Sequence, residues 1–344
     1  MKKVKVGIVG LGRLGKKYAE DLVYRVHQAE VLAACSLQEE ERTYAKEKLG
    51  IPYVFTKYED MLALEEIDTF FVVSPTTFHV AHIIQALEAG KHVFSEKPLG
   101  IELSRCLEVE RVAKKYPKLI CMVGFVRRFD PSYVYAKEKI EKGLIGKPFL
   151  VKSQTVDLDE TAGFQMEFVK TSGGMFHDYN VHDIDLARWY LGSEVKQVFS
   201  TGGAFKYPEF AEVNDADNVL STCVFEDGSM AQLIASRTAA HGHDTYTEIV
   251  GTEGILRIGR PSASTRVQIM DRHGARYECV STFYDRFKDA FLLMTQEFIS
   301  YILENKAPKL TLRDATQATR VASAMTESLF LGKGLVQLEA IAPD

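Results

Sequence analysis

The stretch from 173 to 192, GGMFHDYNVHDIDLARWYLG, crowds two histidines and three aspartates (His177, Asp178, His182, Asp183 and Asp185) into nine positions. Three kinds of chemistry accommodate such a set. A metal site would draw on His177, Asp178 and His182, but helical zinc motifs hold their ligands on one face and His177 lies five residues before His182. A solvated or capping cluster needs no reaction at all. Acid–base catalysis would use Asp178 and His182, which are four apart and share one face of a helix. A hydride leaves a carbinol carbon only as the hydroxyl loses its proton, and histidine takes protons near neutrality. The aspartate one turn away would hold the imidazole or the adjacent hydroxyl, while Ile184, Leu186, Ala187, Trp189, Tyr190 and Leu191 bury the rest of the helix.

A hydride also needs a carrier, and GIVGLGRLG supplies a place for one. Gly10, Gly12 and Gly15 stand in G-x-G-x-x-G register after an apolar run, with Arg13 and Leu14 between the last two. In that register the glycines allow a tight turn, close approach of a pyrophosphate, and close helix–strand packing. The helix that follows offers its N-terminal donors. The same fingerprint expects an acidic residue at the end of the second strand, on the adenosine ribose. Ser36 holds that place, with Glu39, Glu40 and Arg42 just beyond. NAD and NADP are both candidates, and three glutamates against one arginine between Leu37 and Arg42 favour NAD by a modest margin.

Two further strand ends carry chemistry. SPTTFHV places Ser74, Pro75, Thr76 and His79 on the nicotinamide side of the expected crevice, unless His79 is only a helix-face histidine. HVFSEKPLG turns at Glu96, Lys97 and Pro98; Glu96 and Lys97 join the cofactor site, and Lys97 points into the crevice.

The elements that must position these residues follow from the pattern of apolar runs. From Val4 to about Phe125 short β-branched runs alternate with helical stretches, the rhythm of βαβ units and a parallel sheet. After about residue 147 the period becomes two: NVLSTCVFEDGSMAQLIAS turns at Asp227-Gly228, and TEIVGTEGILRIG and VQIMDRHGARYECV repeat the pattern, giving a second, mainly antiparallel sheet. Helices over about Tyr284 to Asn305 and Arg313 to Leu331 close the chain. The expected fold class is α/β, with a Rossmann domain over 1–125 and a second, mainly antiparallel α/β domain over 126–344, to which the family resemblance given below assigns the substrate and oligomerisation.

Composition excludes other classes. A net charge of −5 and a pI near 6.0 leave no basic footprint for nucleic acid or an anionic membrane. No run approaches the about 18 apolar residues of a membrane span, and MKKVKVGIVG leads into the glycine turn rather than a cleavage site. Cys35, Cys106, Cys121, Cys223 and Cys279 fall singly in apolar segments, as reduced core thiols of a cytoplasmic protein do. A small molecule is the expected partner.

GLGRLG, SPTTFH, EKPLG, GFVRRFDPSY and GGMFHDYNVHDIDLARW together resemble the glucose–fructose oxidoreductase and inositol dehydrogenase (Gfo/Idh/MocA) family, most closely its inositol 2-dehydrogenase branch, over nearly the whole chain. The resemblance implies a Rossmann domain followed by an α/β domain with a large open antiparallel sheet, whose exposed face makes a homo-oligomer, often a tetramer. It implies Lys97, Asp178 and His182 as the catalytic set: His182 as general base, Lys97 on the reacting hydroxyl, Asp178 orienting. Arg127 is implied to bond polyol hydroxyls. Two departures stand out. Relatives that use NAD tend to carry aspartate at the place of Ser36, and inositol dehydrogenases tend to carry a tyrosine within the segment matched by AAHGHDTYTEIVG, where His241 and His243 become expected substrate contacts. The activity implied is NAD(P)-dependent oxidation of a secondary hydroxyl on a cyclic polyol or sugar; myo-inositol, a stereoisomer such as scyllo-inositol and a pyranose are all candidates. Two alternatives are a dinucleotide-sensing regulator on the same scaffold, which would need neither Lys97 nor His182, and a reductase of keto-sugars or dihydrodiols.

Overall fold

Six short apolar runs, Val4–Val9, Ala29–Cys35, Tyr53–Phe55, Thr69–Val72, His92–Ser95 and Cys121–Val123, form strands β1 to β6 of one parallel sheet in the order β3-β2-β1-β4-β5-β6. The computed structural model describes residues 3–159, 162–259, 263–265 and 267–341. Parallel neighbours need long crossovers. These are helices α1 Arg13–Tyr24, α2 Glu39–Glu47, α3 Tyr58–Leu62, α4 Thr76–Glu88 and α5 Leu103–Lys115. The strand order reverses between β1 and β4, so the loops leaving the carboxyl ends of β1, β2, β4 and β5 lie along the edge where open α/β sheets take ligands.

The period then changes. Helix α6, Pro131–Glu141, starts at Asp130, whose carboxylate accepts from the Ser132 and Tyr133 amides. Strand β7, Pro148–Leu158, follows, then α7 Ala162–Ser172, a widened π-helical turn Phe176–Asn180 and α8 Val181–Leu191. Next come β8 Val195–Gly203, α9 Glu209–Glu212, β9 Asn218–Phe225, β10 Met230–Ala239, β11 Asp244–Gly251 and β12 Ile255–Ile258. A small hairpin, β13 Ile269–Asp271 with β14 Gly274–Arg276, precedes α10 Phe283–Glu304, α11 Leu312–Phe330 and β15 Val336–Gln337. The large sheet runs β12-β11-β7-β10-β9-β8-β15, antiparallel except where β10 lies parallel to β7. The hairpin expected at Asp227-Gly228 joins β9 to β10, with Gly228 at φ 86°.

The chain divides into two compact units, Met1–Val126 with Asp289–Thr319, and Arg127–Lys288 with Arg320–Asp344. The sequence suggests one cut near 125; instead 289–319 returns to the first unit. Aromatic packing explains the return. Phe291 lies 5.7 Å from Tyr18, and Phe298 sits edge-on to Phe71 and Phe94 at 5.4 and 5.5 Å, completing an apolar cluster on the parallel sheet. Thr319 closes the segment by donating to the Gly100 carbonyl.

Candidate active site

At the carboxyl end of β1 the glycines meet their expected constraints. Gly10 has φ 92°, and a Cβ there would lie 2.4 Å from the Val73 carbonyl oxygen; at Gly15 it would lie 2.0 Å from the Gly10 oxygen. No side chain fits either place. At Gly12 a Cβ would meet nothing within 4 Å, so the backbone borders open space there. Gly12 is the N-cap of α1 and supplies no side-chain acceptor to the first-turn amides, which have no intrahelical partner either. Open space at the N-terminus of a helix fits the pyrophosphate of a dinucleotide. Arg13 is exposed and Leu14 half-buried on the same turn.

At the ends of β4 and β5, His79 and Glu96 have protein partners that the sequence alone does not show. Thr76 opens α4 and Pro75 precedes it as N-cap. The Ser74 hydroxyl is 3.0 Å from His82 Nδ1, and burial pushes the His82 pKa down to about 4, leaving that ring neutral. His79, expected on the nicotinamide side, is buried with Nδ1 2.8 Å from the Pro98 carbonyl and Nε2 2.8 Å from the Ser74 carbonyl. Burial favours its neutral form against those two acceptors, and Lys97 acts with burial. The ring sits within hydrogen-bond distance of both the β4 and β5 loops, and in its neutral form it donates to one of the two carbonyls. The Glu96 carboxylate accepts from Tyr18 Oη of α1 and from the Lys97 amide. Lys97 follows it, half-buried, with a cis peptide bond to Pro98.

The acidic and histidine-rich stretch separates into two groups. Asp183, fully buried, accepts from Arg127 Nη1 at 2.8 Å, Ser153 Oγ at 2.7 Å and Thr155 Oγ1 at 2.7 Å. Asp185 takes a two-pronged pair from Arg128 at 2.6 and 2.8 Å. His177 has Nδ1 on the Gly173 carbonyl and Nε2 on Ser323 Oγ. These three hold the second unit together. Of the other two, Asp178 is buried and His182 half-buried. They do not share one face of a regular helix as the spacing suggests, because Asp178 lies in the π-helical turn Phe176–Asn180 and His182 is the second residue of the regular α8. Such widened turns recur at functional sites.

Arg127 also takes a different task. Instead of facing a polyol hydroxyl it is buried, with Nη1 on Asp183 and Nη2 on Thr155 Oγ1. Removing it strands a buried carboxylate, so Arg127→Ala is expected to cost about 3 to 5 kcal/mol of unfolding free energy, read from denaturant titration. A variant as stable as its parent, with only a higher polyol KM, would restore the substrate role.

The two histidines before β11 part company. His241 is exposed at 54% in a turn beside Asp244. His243 is buried, with Nδ1 2.6 Å from Asp157 Oδ1, and Tyr179 Oη donates to the other Asp157 oxygen at 2.7 Å. Burial, then the Asp157 charge, holds the Tyr179 phenol well above its ordinary pKa, so it is the donor in that bond. The acceptor geometry assigns the His243 proton to Nδ1. Asp157 remains 14% exposed at its side chain. Tyr179 stands within the histidine- and aspartate-rich stretch but is not singled out by its spacing, and Asp157 belongs to no motif of the sequence; the folding of β7 beside the widened turn brings the two together.

Compared with known proteins, residues 4–125 match the NAD-binding Rossmann-fold model of an oxidoreductase family and residues 133–257 match the GFO/IDH/MocA C-terminal domain. The chain belongs to the Gfo/Idh/MocA oxidoreductase family. Among family members, the scyllo-inositol 2-dehydrogenase (NAD(+)) of Bacillus subtilis is 35% identical over 95% of this chain and 94% of its own length. The myo-inositol 2-dehydrogenase of Thermotoga maritima is 30% identical over 95% of this chain and 96% of its own. The crystal structure of scyllo-inositol dehydrogenase from Lactobacillus casei with bound NAD(H) and scyllo-inositol superposes with a TM-score of 0.94, at 38% identity, covering 98% of this chain and 99% of that one.

Burial pushes Cys106, Cys121 and Cys223 up to about 12, which makes them inert core groups. Among the described residues no group of three or more His, Cys, Asp or Glu is arranged to hold a metal, and no helix is long and apolar enough to cross a membrane.

Proposed function

We propose that this chain oxidises a ring hydroxyl of an inositol-type cyclic polyol with NAD, and that Lys97, Asp178 and His182 carry the reaction. The observation that carries this reading is the end-to-end structural match to an inositol dehydrogenase with NAD(H) and scyllo-inositol bound. NAD, when bound, supplies the hydride acceptor. His182 takes the hydroxyl proton, the Lys97 ammonium bonds the oxygen as charge develops on it, and Asp178 orients the histidine. The glycine turn with Arg13 and Leu14, Ser36, and the Ser74, Pro75 and Thr76 loop hold the dinucleotide. The test is a panel of inositols and aldopyranoses with NAD and with NADP, followed by absorbance of the reduced nicotinamide. Oxidation of one or more inositols with NAD supports the reading. Binding of cofactor without turnover of any polyol would favour a dinucleotide-sensing regulator, and turnover only in the reductive direction a keto-sugar or dihydrodiol reductase.

On the polyol side Asp157 is proposed to meet a ring hydroxyl, with His243 and Tyr179 fixing the carboxylate from behind. His243 is thus a positioning group, and His241 at the exposed turn is left out. A bond to a charged acceptor is worth about 1.5 kcal/mol or more, so His243→Ala is expected to raise the polyol KM roughly tenfold and leave the NAD KM alone. An unchanged polyol KM would retire Asp157 and His243 together.

We further infer a cytoplasmic homo-oligomer, a tetramer, built on the large sheet. Strand register sets Val224 beside Met230, Met230 beside Leu150, Leu150 beside Val250 and Val250 beside Ile255. This apolar row across five strands includes Met230 and Ile255, exposed at 42% and 51%. Such a row supports burial against another copy of the chain.

A further inference from the structure

The fingerprint acid missing at the end of β2 has a replacement five residues later. We propose that Glu41, held by Ser36, is the carboxylate that receives the adenosine ribose hydroxyls and excludes a 2′-phosphate; the proposal rests on the NAD reading above and names the residue that sets cofactor choice.

Strand register puts this carboxylate in the right neighbourhood. Val9 pairs with Cys35, and the Gly10 amide donates to the Cys35 carbonyl at 2.9 Å, so Ser36 follows directly beside the glycine turn. On its other side Ser36 is anchored through its own amide to the Phe55 carbonyl. An acid in a dinucleotide fold acts from this point. Serine has no charge to offer there, and its one hydroxyl proton is committed: Ser36 Oγ donates to Glu41 Oε2 at 2.5 Å while accepting from the Gln38 amide. Ser36 therefore has no proton left for a phosphate. Its effect is to draw the Glu41 carboxylate from the first turn of α2 back over the strand end.

Glu41 is half-buried, and only one of its oxygens is engaged by Ser36; Oε1 has no hydrogen-bond partner among the described residues. Two vicinal ribose hydroxyls need an acceptor of this kind. The one cation of the loop is turned inward, since Arg42 Nη1 donates to the Ser36 and Leu37 carbonyls at 2.7 and 2.9 Å. Between them stands Leu37, 80% exposed, an apolar surface beside the strand end of the sort a purine ring covers. Glu39 and Glu40 occupy the same helical turn but are exposed and make no bond to the strand end.

The experiment measures NADH and NADPH dissociation constants by nicotinamide fluorescence for the full-length parent and three variants, Glu41→Gln, Ser36→Ala and Glu39→Gln. The parent is expected to bind NADH more tightly, and Glu41→Gln to narrow the NADPH/NADH ratio on the order of tenfold or more, because repulsion of the phosphate and one charged acceptor both disappear. Ser36→Ala is expected to narrow the ratio less, by releasing the carboxylate, and Glu39→Gln to leave it unchanged. A parent that binds neither nucleotide overturns the NAD reading and this inference with it. A parent that binds NADH but prefers NADPH, an unmoved ratio in Glu41→Gln, or an equal shift in Glu39→Gln overturns the Glu41 assignment alone. An unmoved ratio in Ser36→Ala overturns the tether.

Discussion

Replacing His182 with alanine is expected to lower kcat by roughly 10² to 10⁴ while NAD affinity stays within about twofold of the parent. The size follows from the chemistry. A secondary hydroxyl is far too weak an acid to shed its proton unaided at neutral pH, and the hydride cannot depart until negative charge begins to form on that oxygen. His182 is the second residue of α8, just after the widened turn, and it is half-buried. A second readout separates chemistry from structure. The parent kcat should fall toward acid as the base becomes protonated, and that limb should vanish in the variant along with most of the rate. A kcat that holds while the NAD dissociation constant climbs would make His182 a cofactor contact and leave the base elsewhere.

The parts of this site that are legible in sequence are those whose signals are local. Gly10, Gly12 and Gly15 carry their meaning within six residues, and the strand before and helix after complete it. The closing helices, expected over Tyr284 to Asn305 and Arg313 to Leu331, form at Phe283–Glu304 and Leu312–Phe330, because a long amphipathic period fixes an element well. What sequence alone does not separate is scaffold from chemistry among His177, Asp178, His182, Asp183 and Asp185. The partners that claim Asp183 and Asp185 are Thr155, Ser153, Arg127 and Arg128, at separations of 28, 30, 56 and 57 residues. Spacing on one helix carries no trace of them. The same limit hides the Tyr179–Asp157 bond and the buried contacts of His79 and Glu96 with Pro98, Ser74 and Tyr18, which depend on how the loops fold together. Glu41 escapes notice for a different reason. A motif search looks for the acid at the strand end, and here the acid arrives through a serine from the next helix.

Lys97→Ala is expected to cost on the order of 10² or more in kcat, and Lys97→Arg to recover little of it. Lys97 follows Glu96, whose carboxylate is fastened to Tyr18 and to the Lys97 amide itself, so the backbone carrying the lysine is held at two points. His79 Nδ1 lies 2.8 Å from the carbonyl of the next residue, Pro98. The ammonium at the end of the side chain is a compact charge with three donors. In a site shielded from water, that charge stabilises a forming alkoxide more than a neutral hydroxyl, which is the condition for raising kcat and not only tightening binding. A guanidinium is planar and longer, and it spreads its charge over a fork, so it cannot place one donor at the same point. The measurement is kcat and KM for the best inositol of the panel at saturating NAD, in the parent and both variants. A large fall in kcat with a modest change in polyol KM assigns Lys97 to the transition state. A rise in KM with kcat preserved would make it a ground-state contact, and full activity in the arginine variant would show that any positive charge serves.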